Sequence, residues 1–162
     1  MKLVGKAHVY GDNIDTDRII PGKYTKTLDM QSLADHVMED LDPNFSKIVQ
    51  KGDVVVAGEN FGCGSSREQA PLALKTAGVS LIIAQSFARI FFRNAINIGL
   101  PIIEVKEYSI QPGDIVEADL VQGIITVNGN TYKGTRMPEV MVNILNEDGL
   151  VSYLRKNKTY KV

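Results

Sequence analysis

Three short, almost uninterrupted apolar runs constrain this chain most: Asp53-Val54-Val55-Val56-Ala57, Leu81-Ile82-Ile83-Ala84 and Ile102-Ile103-Glu104-Val105. A strand with one face in water alternates apolar and polar residues, whereas a strand covered on both faces does not. Helix-length segments separate the runs. The first carries Ala70, Leu72, Ala73 and Leu74 and stops at Gly78, a residue suited to the left-handed position after a helix. The second predicts a helix from Phe87 to about Asn97, broken by Gly99-Leu100-Pro101. This succession requires a central sheet covered by helices, an α/β fold.

The flanks extend that plan. Residues 2 to 9 predict a strand, followed by the turn formers of Gly11-Asp12-Asn13-Ile14-Asp15-Thr16-Asp17-Arg18. Leu33, Val37 and Met38 predict an amphipathic helix over 30 to 39. In the last third, Ile115-Val116-Glu117-Ala118 reads as a strand. Gly123 to Val127 meets Thr131-Tyr132 across Asn128-Gly129-Asn130, and an Asn-Gly pair between β-branched runs predicts a hairpin. Helices close the chain, one from near Pro138 to before Gly149 and one over Leu150 to Leu154. Residues 1–162 read as one mixed α/β domain with a β-rich appendage.

Composition narrows the partners. A formal charge of −1 and the lack of long like-charge blocks give no reason to expect nucleic-acid binding. The first residues alternate like a strand rather than forming a secretory apolar core, and no apolar run approaches a membrane span. The single cysteine, Cys63, excludes an internal disulfide and a self-contained multi-cysteine metal site. Cys63 is expected to be a small buried residue, and His8 and His36 are too scattered for a metal cage. No metal site is expected, the compartment is expected to be reducing cytoplasm, and any redox or metal cofactor would come from another chain.

Chemistry concentrates in Gly58-Glu59-Asn60-Phe61-Gly62-Cys63-Gly64-Ser65-Ser66-Arg67-Glu68. The glycines allow sharp turns and close backbone approach to a ligand. Ser65 with Glu68 three residues later has the form of a capping box, so a helix is expected to start there and point its N–H groups over the loop. With Arg67 as a fork-shaped cation, the segment suits a carboxylate or phosphate. Two readings stand: an anion grip, or a glycine turn that caps an ordinary helix. A phosphate loop is excluded, because no Gly-Lys-Ser/Thr follows the glycines. Asp12, Asp15 and Asp17 crowd an earlier loop that lacks the glycine and distant glutamate of an EF-hand. Asx-turn chemistry accounts for Asp12 and Asn13, while Ile14 and Ile19-Ile20 hold the Asp15-Thr16-Asp17 carboxylates near the core. Lys23-Tyr24-Thr25-Lys26-Thr27 reads as an exposed polar loop, and Arg89 and Arg93 share a helix face.

Together Asp12 to Asp17, the Gly58 to Glu68 segment and Ser86-Phe87-Ala88-Arg89-Ile90-Phe91-Phe92-Arg93-Asn94 closely resemble one family over essentially the whole chain. In this order and spacing they look like the small subunits of isopropylmalate isomerase, or 3-isopropylmalate dehydratase, of the aconitase superfamily. The resemblance implies a swivelling β/β/α domain of aconitase type, with a central sheet, flanking helices and a C-terminal β-hairpin. It implies a hydro-lyase of leucine biosynthesis, active only with a large subunit in a heterodimer or heterotetramer. That partner would carry a [4Fe–4S] cluster whose open iron binds a hydroxy-dicarboxylate substrate; Cys63 is not assigned to it. By resemblance, Ser65 would be the alkoxide-type base, and Asp17 would organise acid–base traffic. Arg67 would clamp a substrate carboxylate beside Ser66.

The loop of Tyr24, Thr25, Lys26 and Thr27 is where this family reads the variable substituent. Relatives that act on isopropylmalate tend to be apolar there and homoaconitase-like ones carry Arg, so Lys26 departs from both. Either Lys26 turns to solvent while Tyr24 and the lysine stem cover an apolar group, or the substrate is polar there. Related dimethylmalate, citramalate or homoaconitate hydro-lyases therefore stay open, as does a non-catalytic anion-binding module.

Overall fold

The computed structural model describes residues 2–26 and 29–156. Its strands are β1 Lys2–Val9, β2 Val54–Val56, β3 Leu81–Ala84, β4 Ile102–Glu104, β5 Ile115–Asp119, β6 Ile124–Val127 and β7 Asn130–Lys133. They form one seven-stranded sheet in the order β4-β3-β2-β1-β5-β6-β7. β1 serves two masters of opposite sense. Ala7 to Val9 run parallel to β2, whereas Lys2 to Lys6 run antiparallel to β5. β3 and β4 continue the parallel half, and β6 and β7 the antiparallel half.

The expected β-rich appendage is therefore part of the main sheet. Val116, Ala118, Ile125 and Val127 leave water by joining the same core as the parallel strands. The two valines and the isoleucine each contribute roughly 1.5–3 kcal/mol when fully buried, which an isolated hairpin could not gather. After β7 the chain returns to the opposite edge, where the Thr135 N–H donates to the Glu104 carbonyl at 2.9 Å and the sheet curls.

Longer helices flank the sheet: α2 Met30–His36, α4 Gln69–Ala77, α5 Arg89–Asn97, α6 Glu139–Asn146 and α7 Leu150–Lys156. Short turns not anticipated from sequence are α1 Thr16–Ile19, a 3-10 turn at Gly22–Tyr24 and α3 Phe45–Ile48. α2 stops short of the expected residue 39. Met38 takes a positive φ of 62° and its N–H donates to the Ile19 carbonyl at 2.7 Å, so tertiary pairing replaces the last helical turn. Val37 and Met38 are fully buried all the same. The buried polar side chains are partnered: His8 Nε2 lies 2.7 Å from Asp53 Oδ2, which also accepts from the Gln50 N–H at 2.9 Å. That pair joins β1 to the entry of β2, where an unpaired charge would be costly.

Candidate functional site

Parallel strands deliver their outgoing loops to one edge of the sheet, and ligand sites of open α/β sheets form there. The loops after β1, β2 and β3 lie side by side in this protein. The Gly58, Asn13, Gly62 and Thr16 N–H groups pair in turn with Gly11, Glu59, Ile14 and Cys63 carbonyls at 2.7–3.0 Å. On the other flank the Phe61 N–H donates to the Ser86 carbonyl at 3.0 Å, and the Ala88 N–H to the Phe61 carbonyl at 2.9 Å. Side chains reinforce the seam. Asp12 Oδ1 accepts from the Glu59 N–H at 2.8 Å, and the Tyr108 hydroxyl donates to the Ala57 carbonyl. Burial, and then the nearby Asp12 carboxylate, raise the Tyr108 phenol, so it stays a donor.

A cavity of about 130 Å³ opens over this seam. Its lining includes Thr16, Gly62, Gly64, Ser65, Ser66 and Arg67 from the first two loops. Ala88, Arg89, Ile90, Phe91 and Asn94 close the other side. Gly62 has φ of 84°, and a Cβ there would collide with the Phe91 ring, so only glycine lets the loop lie against α5.

The structure corrects the helix start. α4 begins at Gln69; Glu68 occupies its N-cap position and makes no side-chain cap bond. Ser65 is not a cap, because its carbonyl accepts from the Thr16 hydroxyl at 2.8 Å and holds it in the loop over the cavity. The N-terminus that faces the cavity belongs to α5. Its first intrahelical bond runs from the Phe92 N–H to the Ala88 carbonyl at 3.0 Å. The N–H groups of Arg89, Ile90 and Phe91 therefore lack helical acceptors and present a partial positive charge.

Ser65 and Ser66 are exposed, and the Ser65 hydroxyl has no partner among the described residues. Arg67 is held from two sides: Nη1 pairs with Asp17 and reaches the Ile20 carbonyl at 3.4 Å. Its guanidinium lies over Gly22, about 3.2 Å from where a Cβ would stand. The three aspartates separate by role. Asp17 pairs with Arg67, Asp15 caps α1 through the Arg18 N–H at 2.8 Å, and Asp12 pins the glycine loop.

The loop at Tyr24 lies beside the cavity and does not line it. The Tyr24 ring stacks on His36 with centroids 3.8 Å apart, and Thr25 Oγ1 donates to the Gly22 carbonyl at 2.8 Å. Gln69 Nε2 bonds the Thr25 carbonyl at 3.2 Å, and Lys26 is exposed. Thr27 lies outside the described residues. Cys63 is half-buried rather than buried, at an isolated bridge beside Asp15. Among the described residues, no three His, Cys, Asp or Glu side chains gather as metal ligands. An iron–sulfur cluster needs several thiolates, and a chain with one cysteine does not offer that donor set.

Three contributors were missed from sequence. Thr16 sits in the aspartate-rich motif, and its flanking isoleucines were the available sign that it is buried. Arg89 and Asn94 lie in a helix whose arginines were read only as sharing a face, and nothing local shows that its first turn faces the glycine loop.

Comparison with known proteins bears on this site. The family model described as the aconitase C-terminal domain matches residues 47–108, which include the glycine loop. The 3-isopropylmalate dehydratase small subunit of Caldicellulosiruptor bescii is 57% identical over 159 residues, 96% of this chain and 96% of that protein. Small subunit 2 from Archaeoglobus fulgidus is 53% identical, with 100% of both chains covered. Among solved structures, a 3-isopropylmalate dehydratase from Methanocaldococcus jannaschii has a TM-score of 0.93 at 50% identity, covering 99% of this chain and 98% of that one.

Proposed function

The chain belongs to the 3-isopropylmalate dehydratase small subunits, and from that premise we propose that Ser65 is the proton-transferring base of the shared reaction. The reaction moves a hydroxyl between adjacent carbons of isopropylmalate by loss and return of water, a hydro-lyase step in leucine biosynthesis. Ser65 Oγ, as alkoxide, takes the proton from the carbon beside a carboxylate. The C–H electron pair becomes the new C=C bond, and hydroxide departs. Addition in the opposite sense gives the isomer. The observation that carries this reading is the convergence of Ser65, Ser66, Arg67 and the α5 N-terminus on one cavity at the carboxyl ends of the parallel strands.

A serine hydroxyl is a weak base in water, so its alkoxide needs a preorganised positive field. Arg67 and the unpaired N–H groups of α5 supply it. Arg67 clamps one substrate carboxylate, Ser66 adds a donor, and Asp17 fixes the guanidinium and takes part in acid–base traffic. The large subunit is the partner in a cytoplasmic heteromer. A [4Fe–4S] cluster on that partner would supply Lewis acidity to the reaction, since this chain's single cysteine does not offer the thiolates to hold one. The domain swivels as one unit against that partner.

The loop of Tyr24, Thr25, Lys26 and Thr27 borders the substituent, with Tyr24 and the lysine stem covering it. The exposure of Lys26 and the stacking of Tyr24 on His36 favour a lysine in solvent and an isopropyl substrate over one with an extra carboxylate. The test is reconstitution with a cluster-bearing large subunit. Ser65→Ala is expected to lower kcat by about a hundredfold or more with little change in KM. A variant within about tenfold of wild type removes Ser65 from the base role. Lys26→Val should leave the preference for isopropylmalate over homoaconitate intact; a changed order would put Lys26 on the substrate.

A further inference from the structure

The loop that borders the substituent has little support of its own. Tyr24 ends the turn Gly22–Tyr24, and the Thr25 N–H and Oγ1 both bond back to the Gly22 carbonyl, at 3.2 and 2.8 Å. The Tyr24 ring nevertheless has a fixed neighbour. It lies flat on the imidazole of His36, with centroids 3.8 Å apart and planes 3° from parallel. His36 is the last residue of α2, and α2 is a firm base. Its Leu33 and the following Val37 and Met38 are buried in the core, and the Met38 N–H donates to the Ile19 carbonyl at 2.7 Å. Glu39 completes the seat. Its carboxylate takes hydrogen bonds from Tyr24 and from the His36 ring, whose Nδ1 lies 3.1 Å away.

Position separates this ring pair from ordinary surface packing. Gly22, at the head of the same turn, lies against the Arg67 guanidinium, which stands about 3.2 Å from where a Cβ would be. The proposed carboxylate clamp and the Tyr24 ring are thus two ends of one turn. A wall that selects a branched alkyl group discriminates only as far as it stays in place, because a loose wall gives way to fit either group. We infer that His36 is a positioning residue for substrate selection, which holds the Tyr24 ring as a wall of the substituent site without touching the substrate. This rests on the dehydratase reading above and on its assignment of the Tyr24 loop to the substituent. The flat contact between the rings supplies the hold, and the bonds to Glu39 fix the imidazole beneath it.

The experiment uses the full chain with saturating large subunit and compares 2-isopropylmalate with citramalate, which carries a methyl in place of the isopropyl group. His36→Ala is expected to raise KM for 2-isopropylmalate about fivefold, with kcat changed by less than about twofold. KM for citramalate should stay within about twofold of wild type, because a methyl group does not reach Tyr24. His36→Phe keeps a flat ring without the bond to Glu39, and should restore KM for 2-isopropylmalate to within about twofold. His36→Gln keeps a donor without the ring and should behave as His36→Ala. Gln31→Ala removes a 2.8 Å bond to Asp35 elsewhere on α2 and should alter neither substrate.

KM values for both substrates that rise together in His36→Ala overturn the inference, since His36 would then only support the fold. So does no change for either substrate. Recovery by His36→Gln but not by His36→Phe overturns the ring contact as the hold. Tyr24→Ala separates this inference from the reading beneath it. If Tyr24→Ala lowers the preference for 2-isopropylmalate and His36→Ala does not, the loop keeps its role and His36 loses its own. If Tyr24→Ala changes neither substrate, the loop does not border the substituent and both ideas fall, with the base role of Ser65 untouched. A second readout needs no turnover: in the full chain the Tyr24 ring protons should resonate upfield under the imidazole ring current. They should move back in His36→Ala and stay upfield in His36→Phe; unshifted protons in wild type overturn the inference.

Discussion

The two halves of the sheet solve burial differently, and the difference explains why the candidate chemistry sits at one end. β2 and β3 are buried at every residue and β4 at all but its last, because helices and loops cover both faces. β5 and β6 alternate buried with less buried residues, as a sheet with one open face does. Parallel strands need crossovers, so β1, β2 and β3 each send a loop out at the same edge. The antiparallel strands need only tight turns: β6 passes to β7 through Asn128 and Gly129, with φ of 52° and 79°. A two-residue turn has no room for a catalytic constellation. Three adjacent crossover loops, bonded to one another through their backbones, do.

Glycine separates the halves most sharply. Gly62 and Gly129 both have positive φ, yet a Cβ at Gly62 would collide with Phe91, whereas at Gly129 nothing lies within 4 Å. Gly62→Ala combines backbone strain with overpacking and is expected to cost about 4 kcal/mol and most of the reconstituted activity. Gly129→Ala carries the backbone term alone, about 1 kcal/mol, with activity intact. Urea unfolding and turnover of both variants provide the check. Equal costs would mean the glycine loop is as free as the hairpin and would dissolve the contrast.

Legibility in the sequence follows the same division. The apolar runs were readable as covered strands because nothing but burial on both faces explains Val54-Val55-Val56. The Asn128-Gly129 turn was readable because its dihedrals are local. Elements set by distant contacts were not. Ser65 and Glu68 have the spacing of a capping box, but the bond from Thr16 to the Ser65 carbonyl holds that stretch in the loop and moves the helix start to Gln69. Residues Ser65, Arg67 and Asp17 stood out by type, but that Asp17 pairs with Arg67 is written in neither segment. That α5 supplies the N–H groups and two polar side chains of the cavity depends on how β3 delivers its loop, which no window of sequence encodes. The joining of β5 to β1 was hidden likewise, since β1 changes partner midway along its length.

A second contrast lies in the strands themselves. Ile82 in β3 is fully buried, while Ile124 in β6 is only partly so. Ile82→Ala leaves a cavity between covered layers and is expected to cost about 3 kcal/mol. Ile124→Ala should cost less than about 1 kcal/mol, because its neighbours on the open face include water. Chemical denaturation of both variants measures the pair. A cost at Ile124 approaching that at Ile82 would show that something covers the open face of the antiparallel half in solution.

The smallest expected effect concerns what holds the loops. The hairpins are held by backbone ladders, whereas the Tyr24 loop is held by titratable side chains. Tyr24 stacks on His36, His36 Nδ1 lies 3.1 Å from Glu39 Oε1, and Lys23 Nζ stands 5.2 Å from the Tyr24 ring. Burial alone would raise the Glu39 carboxyl, but hydrogen bonds from His36 and Tyr24 outweigh it and lower it below 4.5. A carboxylate depressed in the folded state stabilises fully above its unfolded value, and that contribution is lost as pH falls through the folded value. The stability difference between wild type and Glu39→Gln should therefore be present at about pH 5, stay under about 1 kcal/mol, and shrink below pH 4.5. The difference between wild type and Gly129→Ala should stay level over the same range, since backbone strain does not titrate. Thermal unfolding of the three proteins at matched pH values measures both differences, and a Glu39→Gln difference that stays level would mean the clasp at Tyr24 carries no charge-dependent hold.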